Sequence, residues 1–227
     1  SNGVSAIIGN SLFVGYPVKS YYDYRWTGIW QLADSAAAKG FSQVPGSVKV
    51  ADTNGDGVIS SATGKDDRQI LGTQLPNFVM GMTNKLNYKN FDLSFLFYYR
   101  NGTLYKNGMV DGTMGDYGST RYNHMVMDYW TRNNPTNDYY GPAVANPYRG
   151  ARSYEDATFL RLSDVTFGYT MSDNQLKGKK IERLRMYLQV INPRYFTKYH
   201  GQDPEYNSNT YIAVSYTHLT LPTKRIV

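Results

Sequence analysis

The sequence predicts an all-β fold of antiparallel strands, and three observations lead there. Residues 76–100 alternate apolar and polar side chains twice, on either side of Lys89-Asn90. Residues 159–170 and 182–192 alternate again further along. No apolar run approaches the ~18 residues a membrane helix needs, and the mean hydropathy of −0.52 argues the same way.

The stretch 76–100 reads PNFVMGMTNKLNYKNFDLSFLFYYR. Phe78, Met80, Met82, Leu86 and Tyr88 share one parity in its first half, broken by Asn84. Phe91, Leu93, Phe95, Phe97 and Tyr99 share the other parity in its second half. A two-residue turn at Lys89-Asn90 sets Tyr88 opposite Phe91, Leu86 opposite Leu93 and Met82 opposite Phe97. Side chains alternate along a strand, so both apolar sets then lie on one face. The other face carries Asn77, Thr83, Lys85, Asn87, Asp92, Ser94, Tyr98 and Arg100. Each strand has about the 9–11 residues that cross a bilayer when tilted. A hairpin packed on the core of a soluble sandwich has the same pattern, so alternation alone leaves both environments open.

Residues 159–170 predict a third strand. Val165, Phe167 and Tyr169 form one stripe, whereas Leu160 and Leu162 have the opposite parity, and a bulge near Ser163-Asp164 reconciles them. Residues 182–192 predict a fourth, with Leu184, Met186, Leu188 and Val190 on one face and Arg183, Arg185, Tyr187 and Gln189 on the other. Pro193 is expected to end it. Between the second and third strands, residues 101–156 form a long polar segment, with a short helix expected over residues 122–130. Residues 172–180 form a short polar turn. Short, long and short connections match the periplasmic turns and outer loops of a membrane barrel. Burying Arg183 and Arg185 in a soluble core would be costly, whereas a wet lumen accepts them.

Composition narrows the classes. The chain has 227 residues, of which 22 are Tyr, and 15% are aromatic; this suits interfacial girdles or a sugar-facing surface. With no cysteine there is no disulfide, thiol catalysis or thiolate metal site. The net charge of +6 falls to +4 without Lys224 and Arg225, a mild balance that makes no case for nucleic acid. His124, His200 and His218 are scattered, Asp203 and Glu205 flank Pro204 in a loop pattern, and no catalytic spacing stands out. A non-enzyme is expected. Near the start, short strands are expected at residues 11–14 and 20–26, a helical turn at 34–39 and a turn at Gln43-Val44-Pro45-Gly46.

Residues 52–57 read DTNGDG. Asp52, Asn54 and Asp56 occupy the first, third and fifth positions of a calcium loop, and Gly57 the sixth, where the chain bends sharply. The Val58 carbonyl would follow. Thr63 stands where the twelfth-position carboxylate belongs, so Asp66 or Asp67 would complete the shell if residues 60–65 loop out. The same residues equally suit an Asx-rich turn held by side-chain to backbone hydrogen bonds.

Several segments together resemble the C-terminal part of the SusC/RagA family of TonB-dependent outer-membrane receptors from Bacteroidetes. They are WTGIWQ (26–31), VPGSVKVADTNGDGVI (44–59), DDRQILGTQLPNFVMGMTNKLNYKNFDLSF (66–95), YWT (129–131), FLRLSDVTFGYTM (159–171) and LRMYLQVINPRYFTKYHGQDPE (184–205). Their order and spacing fit over roughly residues 10–210. The resemblance implies a transmembrane barrel of about twenty-two strands, of which four cannot close. An open, incomplete sheet with long extracellular loops is therefore expected over residues 1–213. It also implies an outer-membrane location, uptake of oligosaccharides or peptides, a SusD-like surface lipoprotein as lid, and energy from TonB. TonB box, plug domain, terminal aromatic strand and signal peptide are not in this stretch, so it is expected to be part of a longer chain. Residues 214–227, VSYTHLTLPTKRIV, resemble a translated transposase adapter and are expected to be non-native. The alternative is a secreted soluble β-protein that binds glycans through exposed tyrosines and a calcium loop.

Overall fold

The computed structural model describes residues 6–7, 12–108, 110, 127–142, 144–178, 181–201, 203–205 and 219–220. In chain order the strands are β1 (Ala6–Ile7), β2 (Leu12–Phe13), β3 (Ser20–Asp23), β4 (Trp26–Ile29), β5 (Val48–Val50), β6 (Gln69–Thr73) and β7 (Phe78–Tyr88). They continue with β8 (Phe91–Asn101), β9 (Leu104–Lys106), β10 (Tyr154–Asp156), β11 (Phe159–Thr170), β12 (Arg185–Thr197) and β13 (Leu219–Thr220). All named pairings are antiparallel. Among the described residues no helix is long and apolar enough to cross a membrane. The chain divides into two compact units.

One unit is an open five-stranded sheet in the order β13-β12-β11-β8-β7. The expected hairpin register is the one found: Tyr88 faces Phe91, Leu86 faces Leu93 and Met82 faces Phe97. Lys89 adopts the left-handed conformation, φ 52°, that a two-residue hairpin loop uses to follow the strand twist. The parity conflict in β11 is resolved where expected. Leu162 faces Phe97 and Asp164 faces Leu96, so Ser163 is an extra residue against β8. Leu160, Leu162, Val165, Phe167 and Tyr169 then line up with the odd-numbered apolar row of β8.

The expected end of the fourth strand at Pro193 is overturned, since β12 runs on to Thr197. Leu162 faces Arg194 and Asp164 faces Ile191, so Asn192 and Pro193 together oppose Ser163. Asn192 is left-handed, φ 50°. Proline lacks an N–H and is tolerated where a bulge has already interrupted the ladder. The ladder of β11 breaks at the same level toward both neighbours, and beyond it Val190 and Phe196 again lie on one face. At the edge, Leu219 and Thr220 pair with Val190 and Gln189. Backbone pairing of this kind requires no particular side chain.

The two faces of this sheet differ. One carries Phe78, Met80, Met82, Leu86, Tyr88, Phe91, Phe167, Met186, Leu188 and Phe196, all exposed and none under a second layer of its own unit. Rings gather at both ends of this face: Phe91 against Phe167 and Tyr169 at the hairpin-turn end, Phe78 against Tyr99 at the other. Such an apolar face exceeds what soluble monomers leave bare. The opposite face carries charge and amides. Arg185 makes a two-pronged bond to Asp92, Nη2 to Oδ2 at 2.6 Å and Nε to Oδ1 at 3.2 Å. Gln189 donates to Asp164 at 2.6 Å. Gly168 lies between Asp92 and Tyr187 in register, and its missing side chain leaves room for the ion pair, whose atoms would stand 2.5–2.7 Å from a Cβ.

The other unit gathers residues 1–75, 102–157 and 199–211. The long polar segment is thus not merely a loop. Val110, Trp130, Tyr139, Tyr140 and Ala151 bury their side chains with Ile29, Val48 and Val50 in one core. Ile29, Val48 and Val50 come from the pair β4-β5, and β3-β6 and β9-β10 are further two-stranded pairs of this unit. The expected helical turn is present as Ser35–Gly40. The helix expected over residues 122–130 lies mostly outside the described residues; Met127 to Trp130 are not helical, and Tyr129 bridges to Tyr139. Residues 172–180 contain one helical turn, Asp173–Leu176, with a capping box between Ser172 and Gln175.

Gly46 is the tightest point of this core. Its φ is +90°, and a Cβ there would lie 2.5 Å from Cε3 of Trp130. Gly46 also donates to the Trp30 carbonyl at 2.7 Å and accepts from the Gly141 N–H at 2.8 Å, so it cannot shift freely. Gly46→Ala is expected to destabilise this unit by about 1–2 kcal/mol through overpacking and left-handed strain. Faster limited proteolysis within residues 26–75 would show it; unchanged cleavage would mean that Trp130 swings aside.

Candidate functional site

The loop from Ala51 to Arg68 joins β5 to β6 and contains every residue that the calcium pattern names. Its first half is a chain of Asx turns. Asp52 accepts from the N–H of Gly55 at 2.7 Å through Oδ1, and from that of Gly57 at 2.8 Å through Oδ2. Asn54 accepts from Asp56 N–H at 2.8 Å, and Asp56 from Val58 N–H at 2.9 Å. Gly55 and Gly57 are both left-handed, φ 74° and 78°, which lets the chain coil inward. Asn54, Asp56 and Val58 are exposed and Asp52 is half-buried.

The two candidates for the missing ligand part ways. Asp66 turns from the loop to Arg68, receiving Nε at 2.9 Å and Nη2 at 2.7 Å, and takes the Tyr22 hydroxyl at 3.1 Å. Burial would raise its pKa, but hydrogen bonds from Arg68 outweigh this and hold the carboxyl below its ordinary value. Asp67 turns into the loop and is fully buried. Its Oδ1 accepts from Thr53 N–H at 2.9 Å and Asn54 N–H at 3.4 Å, and its Oδ2 from Ser60 N–H at 2.8 Å. The Thr53 hydroxyl returns to the Asp67 carbonyl at 2.7 Å. Asp67 therefore ties together both arms of the loop with its own carboxylate. Among the described residues no three His, Cys, Asp or Glu side chains come together as a metal group.

A second carboxylate hub escaped the sequence reading. Glu155 is buried and accepts from Arg152 at 3.2 Å, Asn107 at 3.2 Å and the His200 N–H at 3.2 Å. The Arg152 guanidinium lies between the Trp26 and Tyr139 rings, 4.8 and 4.6 Å from their centroids. Burial, and then the Glu155 charge, push the neighbouring Tyr199 phenol up to about 12. Asn107 and His200 are far from Glu155 in sequence, and the set matches no local motif. The nearest local signal was Glu155 three places after Arg152 in RSYED.

The two-faced sheet is what points to a family. A strand ladder with lipid-suited rings on one side and Asp92–Arg185 and Asp164–Gln189 on the other is the wall of a transmembrane barrel around a wet interior. No protein-family model matches the chain. Curated relatives do. The chain is 31% identical over 215 residues to TonB-dependent receptor P3 of Formosa agariphila, covering 89% of the chain and 21% of the relative. It is 30% identical over 203 residues to TonB-dependent receptor SusC of Bacteroides thetaiotaomicron, covering 86% of the chain and 18% of the relative. The chain belongs to the SusC/RagA-like TonB-dependent receptors.

The solved structures agree on the fold. The RagAB peptide transporter superposes with a TM-score of 0.64 at 23% identity, over 89% of this chain and 22% of that one. RagAB in its "closed-closed" state gives 0.63, over 91% and 22%. The chain spans about a fifth of the length of the curated relatives it matches. In this SusC/RagA-like receptor, β7, β8, β11 and β12 are barrel strands, and the open edges are those of a partial wall.

Proposed function

We propose that this chain is part of the barrel of an outer-membrane import receptor that takes up oligosaccharides or peptides. A SusD-like surface lipoprotein would act as its lid, and TonB, engaging a region outside these residues, would supply the energy. The observation that carries the reading is the sheet's division into an apolar, ring-edged face and a charged one, in a chain 31% identical to a TonB-dependent receptor. A soluble glycan-binding protein would have to cover the apolar face with a second layer. Within the unit that contains the sheet, no such layer lies over it among the described residues.

Calcium in the DTNGDG loop is part of the proposal and rests on spacing alone. Asp52, Asn54, Asp56 and the Val58 carbonyl are the ligands it would use. Asp67, buried and holding three N–H groups, is the least available to an ion.

The experiment is uptake by cells expressing the full-length receptor. Labelled oligosaccharide or oligopeptide should accumulate in the periplasm, and accumulation should cease in TonB-deficient cells. Recovery of the receptor in the soluble fraction would sink the reading, as would uptake indifferent to TonB.

A further inference from the structure

One charged side chain stands on the apolar face of the five-stranded sheet. Arg194 faces Leu162 in register, Leu162 faces Phe97, and Phe97 faces Met82, so all four share that face. The other residues of β7, β8, β11 and β12 on this face are uncharged. Arg194 is exposed, and among the described residues it pairs with no carboxylate. Its guanidinium lies over the Phe196 ring, Cζ 5.8 Å from the centroid. Phe196 is the next residue along the same face and faces Leu160, which faces Tyr99. The side chain is thus turned away from the hairpin turn and toward the end where β8 leads into the long segment. Lys198, also exposed, follows directly on the end of β12 at Thr197.

We propose that Arg194, together with Lys198, binds the phosphate of an outer-leaflet lipid against the outside of the barrel wall; this rests on the proposed barrel reading. A guanidinium in hydrocarbon is costly, and the cost falls toward the interface. Arg194 lies two residues further along the strands than the level of Phe95, Val165 and Val190. That is about 5 Å nearer the outer surface for a strand tilted near 40°. A long cationic side chain bends its head toward polar ground, and the Phe196 ring favours it there. Charge complementarity sets the headgroup: the planar guanidinium matches two phosphate oxygens, and two cations favour a lipid of net negative charge over a zwitterion. Continuity sets the source. The site opens onto the apolar face, so a lipid's chains can run from its phosphate along Leu162, Phe97 and Val190, whereas a free phosphate has no such contact.

The test titrates fluorescent lipid A, the phosphorylated anchor of lipopolysaccharide, into the full-length receptor refolded in phosphatidylcholine vesicles. Wild type should bind it about tenfold more tightly than Arg194→Leu does, as for the loss of a charge-assisted hydrogen bond. Removing the phosphates from lipid A should abolish that difference. In vesicles without lipid A, Arg194→Leu should fold at least as well as wild type, because a guanidinium has left the apolar face. Equal binding of lipid A by both proteins would overturn the inference. So would competition by inorganic phosphate at matching concentration, which would make the ligand a free anion. An Arg194→Leu receptor that folds poorly with and without lipid A would overturn it as well, assigning Arg194 to a carboxylate of an adjoining strand or of a second receptor. A receptor that inserts and imports, yet shows no preference for lipid A, would refute this inference and leave the import reading intact.

Discussion

Phe95→Arg in the full-length receptor is expected to block stable insertion, at a cost of about 2–4 kcal/mol if its level is near the bilayer midplane. Phe95 sits midway along β8, with Asn84 on one neighbouring strand and Val165 on the other, and all three belong to the apolar face. A guanidinium there must lie in hydrocarbon or drag water inward. Thr83→Arg is the control. Thr83 pairs with Leu96 on the charged face, one residue away in β7, and its side chain turns to a wet interior. Refolding yield into lipid vesicles, read by heat-modifiable migration on gels, should fall sharply for the first and little for the second. Equal losses would mean that both faces are buried in protein, and the barrel wall would be a soluble core.

Removing the Asp67 carboxylate is expected to cost about 3 kcal/mol. Thr53, Asn54 and Ser60 would each lose the acceptor of a part-buried backbone hydrogen bond, at roughly 1 kcal/mol apiece. Asp67→Asn should cost less but not nothing, because one amide position then presents a donor to a donor. The loss should be the same with and without a calcium chelator, since hydrogen bonds alone account for it. Calcium is tested in the same melts. If it binds through Asp52, Asn54 and Asp56, chelation lowers the wild-type transition and Asp56→Ala removes that difference. A melt indifferent to chelator in both proteins would discard the ion. An Asp67→Ala melt matching wild type would show the loop is held some other way.

Local pattern and tertiary contact divide this protein cleanly. The hairpin register was legible because side-chain parity has a period of two, so one turn position sets every pair from Tyr88–Phe91 to Met82–Phe97. The bulge at Ser163 was legible for the same reason: a parity flip within one strand has no other cheap solution. Pro193 misled because a proline usually ends a ladder. Its tolerance depends on a bulge level set by β11, a neighbouring strand, and not by its own sequence.

The site divides the same way. Asp52, Asn54 and Asp56 could be placed from spacing, because each bonds two to five residues ahead. Which of Asp66 and Asp67 faces the loop could not, since adjacent side chains diverge and the choice is made by Tyr22 and Arg68 on one side and by three amides on the other.

By itself the sequence determined the presence of β7, β8, β11 and β12, the pairing within the hairpin and the existence of one apolar and one charged face, all consequences of alternation over neighbouring residues. Tertiary structure alone decided that Val110, Trp130, Tyr139, Tyr140 and Ala151 build a core with Ile29, Val48 and Val50, and that Glu155 collects Arg152, Asn107 and His200. Those groups lie up to about a hundred residues apart, and the burial that joins them exists only once the chain has closed on itself.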